Sequence, residues 1–62
     1  MKTLYDVMQL LKSYGTVIYT GDRQADLDLM EDEIKELYKQ QFISAKDFSA
    51  ALLILRQKRN GN

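Results

Sequence analysis

Residues 14–23, which read YGTVIYTGDR, bring an aromatic and a basic side chain close together. Tyr19 can stack on an unpaired base, an interaction of about 1–3 kcal/mol per base. Arg23 and other basic residues can bind the phosphates, with the salt dependence that this implies. The sequence therefore offers a candidate site for single-stranded nucleic acid, RNA or DNA. The residues that we expect in this site are Lys12, Tyr19, Arg23, Arg56, Lys58 and Arg59.

The residues of this region also have purely structural interpretations. Tyr14 falls on the apolar stripe of the first predicted helix and can close a bundle, and Val17 and Ile18 can seal its open end. The basic residues near the C-terminus can neutralise the acids at the start of the second helix and the negative end of their own helix. The sequence alone leaves these interpretations open.

Other kinds of chemistry find little support in the residue types. The chain has no cysteine and no histidine, so we expect neither a disulfide nor a zinc site of the usual kind. The stretch DRQADLDLMEDE holds six carboxylates, but a helix scatters them around its outer surface, and no calcium-loop pattern is present. A single glycine in TGDR is weak support for a phosphate loop. We therefore expect no catalytic residue, no metal and no cofactor.

Length and charge limit the class of protein. Sixty-two residues make one small domain, whose core is modest, so self-association is a plausible source of extra stability. The formal net charge is zero, which gives no overall attraction to nucleic acid or to a membrane surface. No apolar run approaches the roughly 18 residues of a membrane span. Polar residues interrupt the N-terminal stretch, which is therefore not a signal peptide, and we expect a cytoplasmic protein.

Three helices must position the candidate residues. The first is predicted from Leu4 to Tyr14, with Thr3 as its cap and Gly15 as its stop. The second is predicted to begin near Asp22 or Arg23 and to end at about residue 40. The third begins after Ser44, which is its cap. An acid follows three residues after Ser44, as in a capping box.

Short connections favour an up-down-up path, so the predicted fold is an all-α, up-down-up three-helix bundle with an irregular segment between helices 1 and 2. The end of helix 1, the start of helix 2 and the end of helix 3 would then meet and gather the six candidate residues. We expect one domain over residues 1–62, with residues 57–62 as a frayed basic tail.

Apolar residues outside the helical stripes suggest a second function. Leu53 points nearly opposite the inward face of helix 3, and Leu29 lies off the stripe of helix 2. If Leu29, Ala50 and Leu53 were contiguous, they would form an interface for a protein partner or a homodimer.

The stretch LYDVMQLLKSYGTVIYTGDRQADLDLMEDEIKELY, followed by ISAKDFSAALLILRQ, resembles the YqgQ-like family, small proteins of Gram-positive bacteria. The resemblance covers roughly residues 4–57, and YGTVIYTGDR with LMEDEIKELY is its most specific part. It implies a compact three-helix fold and a cytoplasmic setting. It implies little about activity, although single-stranded nucleic acid binding is among the roles suggested for the family. Nucleic-acid binding is thus the leading expectation, and a protein-interaction or self-association module is the alternative.

Overall fold

The computed structural model describes residues 1–61, and these form three α-helices and no strand. Helix α1 spans Leu4–Ser13, α2 spans Arg23–Lys39 and α3 spans Ala45–Arg59. The expected all-α, three-helix class is confirmed. None of these helices is long and apolar enough to cross a membrane.

Side chains cap the start of every helix at the predicted positions. Thr3 and Asp6 form a reciprocal capping box: the Asp6 amide donates to Thr3 Oγ at 3.2 Å, and the Thr3 amide donates to Asp6 Oδ2 at 3.1 Å. Asp22 Oδ1 accepts from the Gln24 amide at 3.0 Å, and Ser44 Oγ accepts from the Asp47 amide at 3.1 Å. These bonds use backbone donors that a helix start leaves unpaired, so the local sequence determines where each helix begins.

Helices α1 and α2 end in the same left-handed motif. Gly15 has φ +86°, and its amide and that of Thr16 bond back to the last turn of α1 at 2.9 and 3.0 Å. At the end of α2 the left-handed position is occupied by Gln41, with φ +64°. The helical spacing of the inward residues of α2 would place Gln41 on the inward face of that helix, but Gln41 is an exposed turn residue. A non-glycine residue at such a position carries a steric penalty.

One apolar core joins the three helices. Tyr38 of α2 stacks on Phe48 of α3, with ring centroids 4.1 Å apart and planes 8° from parallel. Ile54 is buried, although helical spacing places it on a flank of the inward face of α3. Met8 remains 42% exposed, although it falls on the apolar stripe of α1. The buried apolar residues are Val7, Leu11, Leu27, Met30, Ile34, Leu37, Ile43, Ala51, Ile54 and Leu55.

Helices α2 and α3 form the expected antiparallel hairpin. The end of α3 lies beside the start of α2, because Gln24 Nε2 donates to the Arg59 carbonyl oxygen at 3.4 Å. Residues 57–59, which we expected in a frayed tail, form the last turn of α3 instead. Asn62, the last residue of that predicted tail, lies outside the described residues.

The path of α1 differs from the expected one. The Tyr14 hydroxyl donates to the Phe42 carbonyl oxygen at 2.9 Å, and the two rings lie 5.7 Å apart. Because Phe42 lies in the turn between α2 and α3, α1 ends beside that turn. Leu4, at the other end of α1, lines a depression together with Leu27 near the start of α2. Helix α1 therefore runs in the same general direction as α2.

The length of the connection explains this difference. Asp22 lies eight positions after Tyr14, and an extended chain of eight steps reaches about 26 Å. Helix α1, with 10 residues, is only about 15 Å long. The connection is thus long enough to return along the whole of α1, and it does not simply cross one end of the bundle. We call residues 14–22 the return segment.

Candidate functional site

The return segment is fixed at both ends by backbone hydrogen bonds. At its start, the Thr16 amide donates to the Leu11 carbonyl oxygen at 3.0 Å. At its end, the Thr20 amide donates to Asp26 Oδ1 at 2.7 Å, and the Thr20 hydroxyl donates to the same oxygen at 2.6 Å. Asp26 is buried, with 9% of its surface exposed. The segment is therefore anchored to α1 and to α2.

Gly21 turns the chain from the return segment into α2. It has φ +89°, in the left-handed region that glycine occupies without strain. The Asp22 amide donates back to Thr20 Oγ at 3.2 Å. The threonine hydroxyl therefore accepts from Asp22 and donates to Asp26. This local network holds Thr20 against the start of α2.

Side chains of the return segment alternate between the core and solvent. Ile18 is partly buried and packs against the core, while Val17 and Tyr19 are 77% and 85% exposed. Such alternation is typical of extended backbone. Of the two residues that we expected to seal the bundle, Ile18 does so and Val17 does not. Tyr19 faces outward, as base stacking at the candidate site requires.

Two shallow apolar depressions lie on either side of Ile18, between the return segment, α1 and α2. Both include Met8 and Met30, so they share one apolar floor. The first, of about 240 Å³, has Lys12 at its margin, and the second, of about 250 Å³, has Tyr19 and Arg23.

The basic residues Lys12 and Arg23 therefore lie towards opposite ends of the return segment, with Val17 and Tyr19 between them. We call these four residues the strip. Lys12 and Tyr14 do not join the end of the molecule where α2 begins, because α1 runs in the direction opposite to that expected.

Arg59 is part of an ion-pair network with the acids of α2. Its Nη2 donates to Glu31 Oε1 at 2.7 Å and lies 2.9 Å from Asp28 Oδ1. Lys35 Nζ lies 2.8 Å from the other oxygen of Glu31. Hydrogen bonds from Lys35 and then from Arg59 hold the pKa of Glu31 below its ordinary value, although burial opposes them. Arg59 thus neutralises acids of α2, which is the structural interpretation given above for the C-terminal basic residues.

Arg56 and Lys58 lie in the last turn of α3, and within residues 1–61 neither forms an ion pair. Because the end of α3 contacts Gln24, these two residues lie at the same end of the molecule as Arg23. The six predicted residues thus fall into three sets: the strip members Lys12, Tyr19 and Arg23; the nearby pair Arg56 and Lys58; and the neutralised Arg59.

The residues of the alternative protein interface are not brought together. Leu53 is 60% exposed on α3, and Leu29 is 43% exposed on α2. Leu29 precedes Tyr38 by nine residues, which places it half a turn away from the side of α2 that packs on α3. Leu29 therefore faces away from α3, and Ala50, partly buried on α3, does not connect it to Leu53.

Sequence reasoning missed the bond between Thr20 and Asp26. By its position alone, Asp26 is typical of an acid that favours the positive end of a helix. The position of Asp26 next to Leu27 and one turn before Met30, both inward residues, was the available sign that it is buried. Within residues 1–61, no three acidic, histidine or cysteine side chains form a cluster that could hold a metal ion.

Comparison with known proteins identifies the family of the chain. The model of the YqgQ-like family matches residues 1–61. The uncharacterized protein YqgQ of Bacillus subtilis (strain 168) is 43% identical over 58 residues, which cover 94% of this chain and 82% of that relative. The chain therefore belongs to the YqgQ-like family.

Proposed function

We propose that this YqgQ-like protein is a small, non-enzymatic cytoplasmic module that binds single-stranded nucleic acid, RNA or DNA, and has no role at a membrane. The observation that carries the proposal is the placement of Tyr19. Its side chain is 85% exposed, and it shares the margin of one depression with Arg23. A tyrosine in this position contributes little to the core, whereas it can serve as a platform on which a base stacks.

The strip gives a simple arrangement for a single strand. A base stacks on Tyr19, and Arg23 binds a phosphate beside it. Lys12, towards the other end of the return segment, binds a phosphate further along the strand. Val17, 77% exposed, offers an apolar contact between them. Arg56 and Lys58 extend the basic surface at the Arg23 end, since the end of α3 lies against the start of α2.

The number of available cations limits the strength of binding. Because Arg59 is already paired with Glu31 and Asp28, at most four basic residues of the predicted site remain for phosphates. For single strands the logarithm of the binding constant falls with the logarithm of salt concentration by about 0.7 per phosphate contact. Two to four contacts therefore give a slope of about −1.4 to −2.8.

Fluorescence anisotropy with labelled oligo-dT and oligo-U at two salt concentrations tests the proposal. Tyr19→Ala should weaken binding by about 1–3 kcal/mol, while Tyr19→Phe, which keeps the ring, should bind nearly as well as the wild type. Arg23→Gln should weaken binding and reduce the salt slope. Lys46→Gln, which removes an exposed cation from the opposite end of α3, is the matched control and should change neither the affinity nor the salt slope. No binding to either oligomer at about 50 µM protein and low salt would contradict the proposal.

A protein-interaction or self-association module is the second candidate, and the exposure of Leu53 favours it. This leucine is 60% exposed on a helix whose other leucines contact the core. If Leu53 packs across a homodimer, Leu53→Lys should convert a dimer to a monomer in analytical ultracentrifugation, whereas Ser49→Lys, an exposed neighbour one turn earlier, should change the assembly less. A wild-type protein that is monomeric at high micromolar concentration would contradict the homodimer.

A further inference from the structure

The backbone of the return segment has unused hydrogen-bonding groups. Within residues 1–61, no acceptor takes a hydrogen bond from the amides of Val17, Ile18 and Tyr19. The amides of Thr16 and Thr20, in contrast, are both bonded to the rest of the chain. An extended segment with free backbone groups can pair with another strand.

The pattern of these bonds shows which edge of the segment is free. In extended backbone, the N–H and C=O groups of alternate residues point to opposite edges. Thr16 and Thr20 are an even number of residues apart, and their amides bond to α1 and α2, so their edge faces the body of the protein. The backbone groups of Val17 and Tyr19 belong to the other edge, on which residues 1–61 form no hydrogen bond.

The sequence of the segment is self-complementary in the antiparallel sense. Residues 16–20 read Thr-Val-Ile-Tyr-Thr, so a two-fold axis through Ile18 places threonine opposite threonine and valine opposite tyrosine. Pairs of β-branched and aromatic residues, and pairs of threonines, are favourable cross-strand neighbours. A two-fold interface uses the same surface on both copies, as this arrangement requires.

We propose that the return segment pairs with the return segment of a second copy of this chain, to form a two-stranded antiparallel ribbon centred on Ile18. Val17 and Tyr19 of each copy exchange backbone hydrogen bonds with Tyr19 and Val17 of the other. The side chains of these residues stay on the outer face, because side chains alternate along a strand. The dimer is weak, since a two-stranded ribbon is only marginally stable by itself. The proposal does not rest on nucleic-acid binding.

Cysteine cross-linking tests the register directly, because the chain has no cysteine of its own. Val17→Cys and Tyr19→Cys are made as separate variants, at two highly exposed positions. Directly opposite residues in the proposed register have Cα atoms about 5.5 Å apart, within the range that a disulfide bridges. A residue and its own copy are diagonal neighbours, at about 7–8 Å, which is too far.

The two variants are oxidised alone and as an equimolar mixture in a glutathione buffer, and the products are identified by intact mass. We expect the yield of the mixed disulfide to exceed the yield of either identical-pair disulfide at least about five-fold. Equal yields of mixed and identical pairs, or no cross-link from variants that circular dichroism shows to be folded, would overturn the proposal.

Sedimentation equilibrium gives a second readout without cysteines. Val17→Pro removes an amide that has no partner within residues 1–61, and we expect it to weaken the dimer at least about five-fold. Val17→Thr keeps both the amide and the β-branched shape and should dimerise like the wild type. Leu53→Lys should also leave this dimer intact. That result would distinguish the ribbon dimer from a dimer formed through Leu53 on α3. A wild-type monomer at about 1 mM would overturn the proposal.

Discussion

The amide and the hydroxyl of Thr20 both donate to one carboxylate oxygen of Asp26, at 2.7 and 2.6 Å. This pair joins the end of the return segment to the first turns of α2. Because the acceptor is charged and Asp26 is only 9% exposed, its bonds are stronger than those of a neutral surface pair.

Loss of this carboxylate should destabilise the fold. Asp26→Ala removes the acceptor of both bonds, and we expect the free energy of unfolding to fall by about 1.5–3 kcal/mol. Asp32→Ala, at an exposed position of the same helix, should change it by less than about 0.5 kcal/mol. Urea denaturation, analysed with one common dependence of the free energy on urea concentration, measures the free energy of unfolding of both variants. Equal midpoints for the two variants would show that Asp26 does not anchor the segment.

The caps and the return segment illustrate what the sequence could predict. Thr3, Asp22 and Ser44 were predicted as caps because each bonds to an amide two or three residues away, and such contacts depend on local sequence. The alternation of exposed and partly buried side chains at residues 17–19 also depends on local structure, since it follows from extended backbone.

The direction of α1 could not be predicted in the same way. Residues 14–22 can cross one end of the bundle or return along α1, and both paths satisfy the same local preferences. The contact between Tyr14 and Phe42, 28 residues apart, distinguishes them and exists only in the folded chain. The predicted site depended on this path, so Lys12 was assigned to the wrong end. The burial of Asp26 was missed because its partner, Thr20, lies in the same irregular segment.

Stability should fall in acid because of Glu31. Its pKa in the folded protein is lowered, mainly by the hydrogen bond from Lys35 and then by that from Arg59. The stabilisation is therefore present above the unfolded-state pKa of about 4.5 and is lost as the pH falls through the lower folded-state pKa. Thermal melts from pH 6 down to about pH 3 should show this loss, and Glu31→Gln should show a smaller one. Asp32→Asn, which is exposed, should keep the wild-type dependence.

Two arginines of α3 should behave differently on substitution. Arg59→Gln breaks the contacts with Glu31 and Asp28 and should reduce the free energy of unfolding by about 1–2 kcal/mol. Arg56→Gln, at an exposed position, should change it by less than about 0.5 kcal/mol. Chemical denaturation distinguishes them. If the arginines proved equivalent, the network around Glu31 would contribute nothing measurable to stability.

The left-handed residue after α2 offers a stabilising substitution. Gln41 has φ +64°, and glycine adopts that conformation without a steric penalty. Gln41→Gly should therefore raise the free energy of unfolding by about 0.5–1 kcal/mol. Gln40→Gly, one residue earlier at φ −85°, should instead lower it, because there glycine adds freedom to the unfolded chain and removes the 3.1 Å hydrogen bond from Gln40 Nε2 to Glu36 Oε1. A melting temperature that falls in both variants would contradict the turn geometry.

The hydroxyl of Tyr14 tests the direction of α1. Tyr14→Phe keeps the ring near Phe42 and removes the 2.9 Å bond to its carbonyl oxygen, so we expect a loss of about 0.5–1.5 kcal/mol. Tyr5→Phe, on a 66% exposed tyrosine for which residues 1–61 provide no such bond, should leave stability unchanged. Nuclear Overhauser contacts between the rings of Tyr14 and Phe42 provide an independent measurement, since their centroids lie 5.7 Å apart. In an up-down-up bundle these rings would lie at opposite ends of α2, about 25 Å apart, so the absence of such contacts would restore that path.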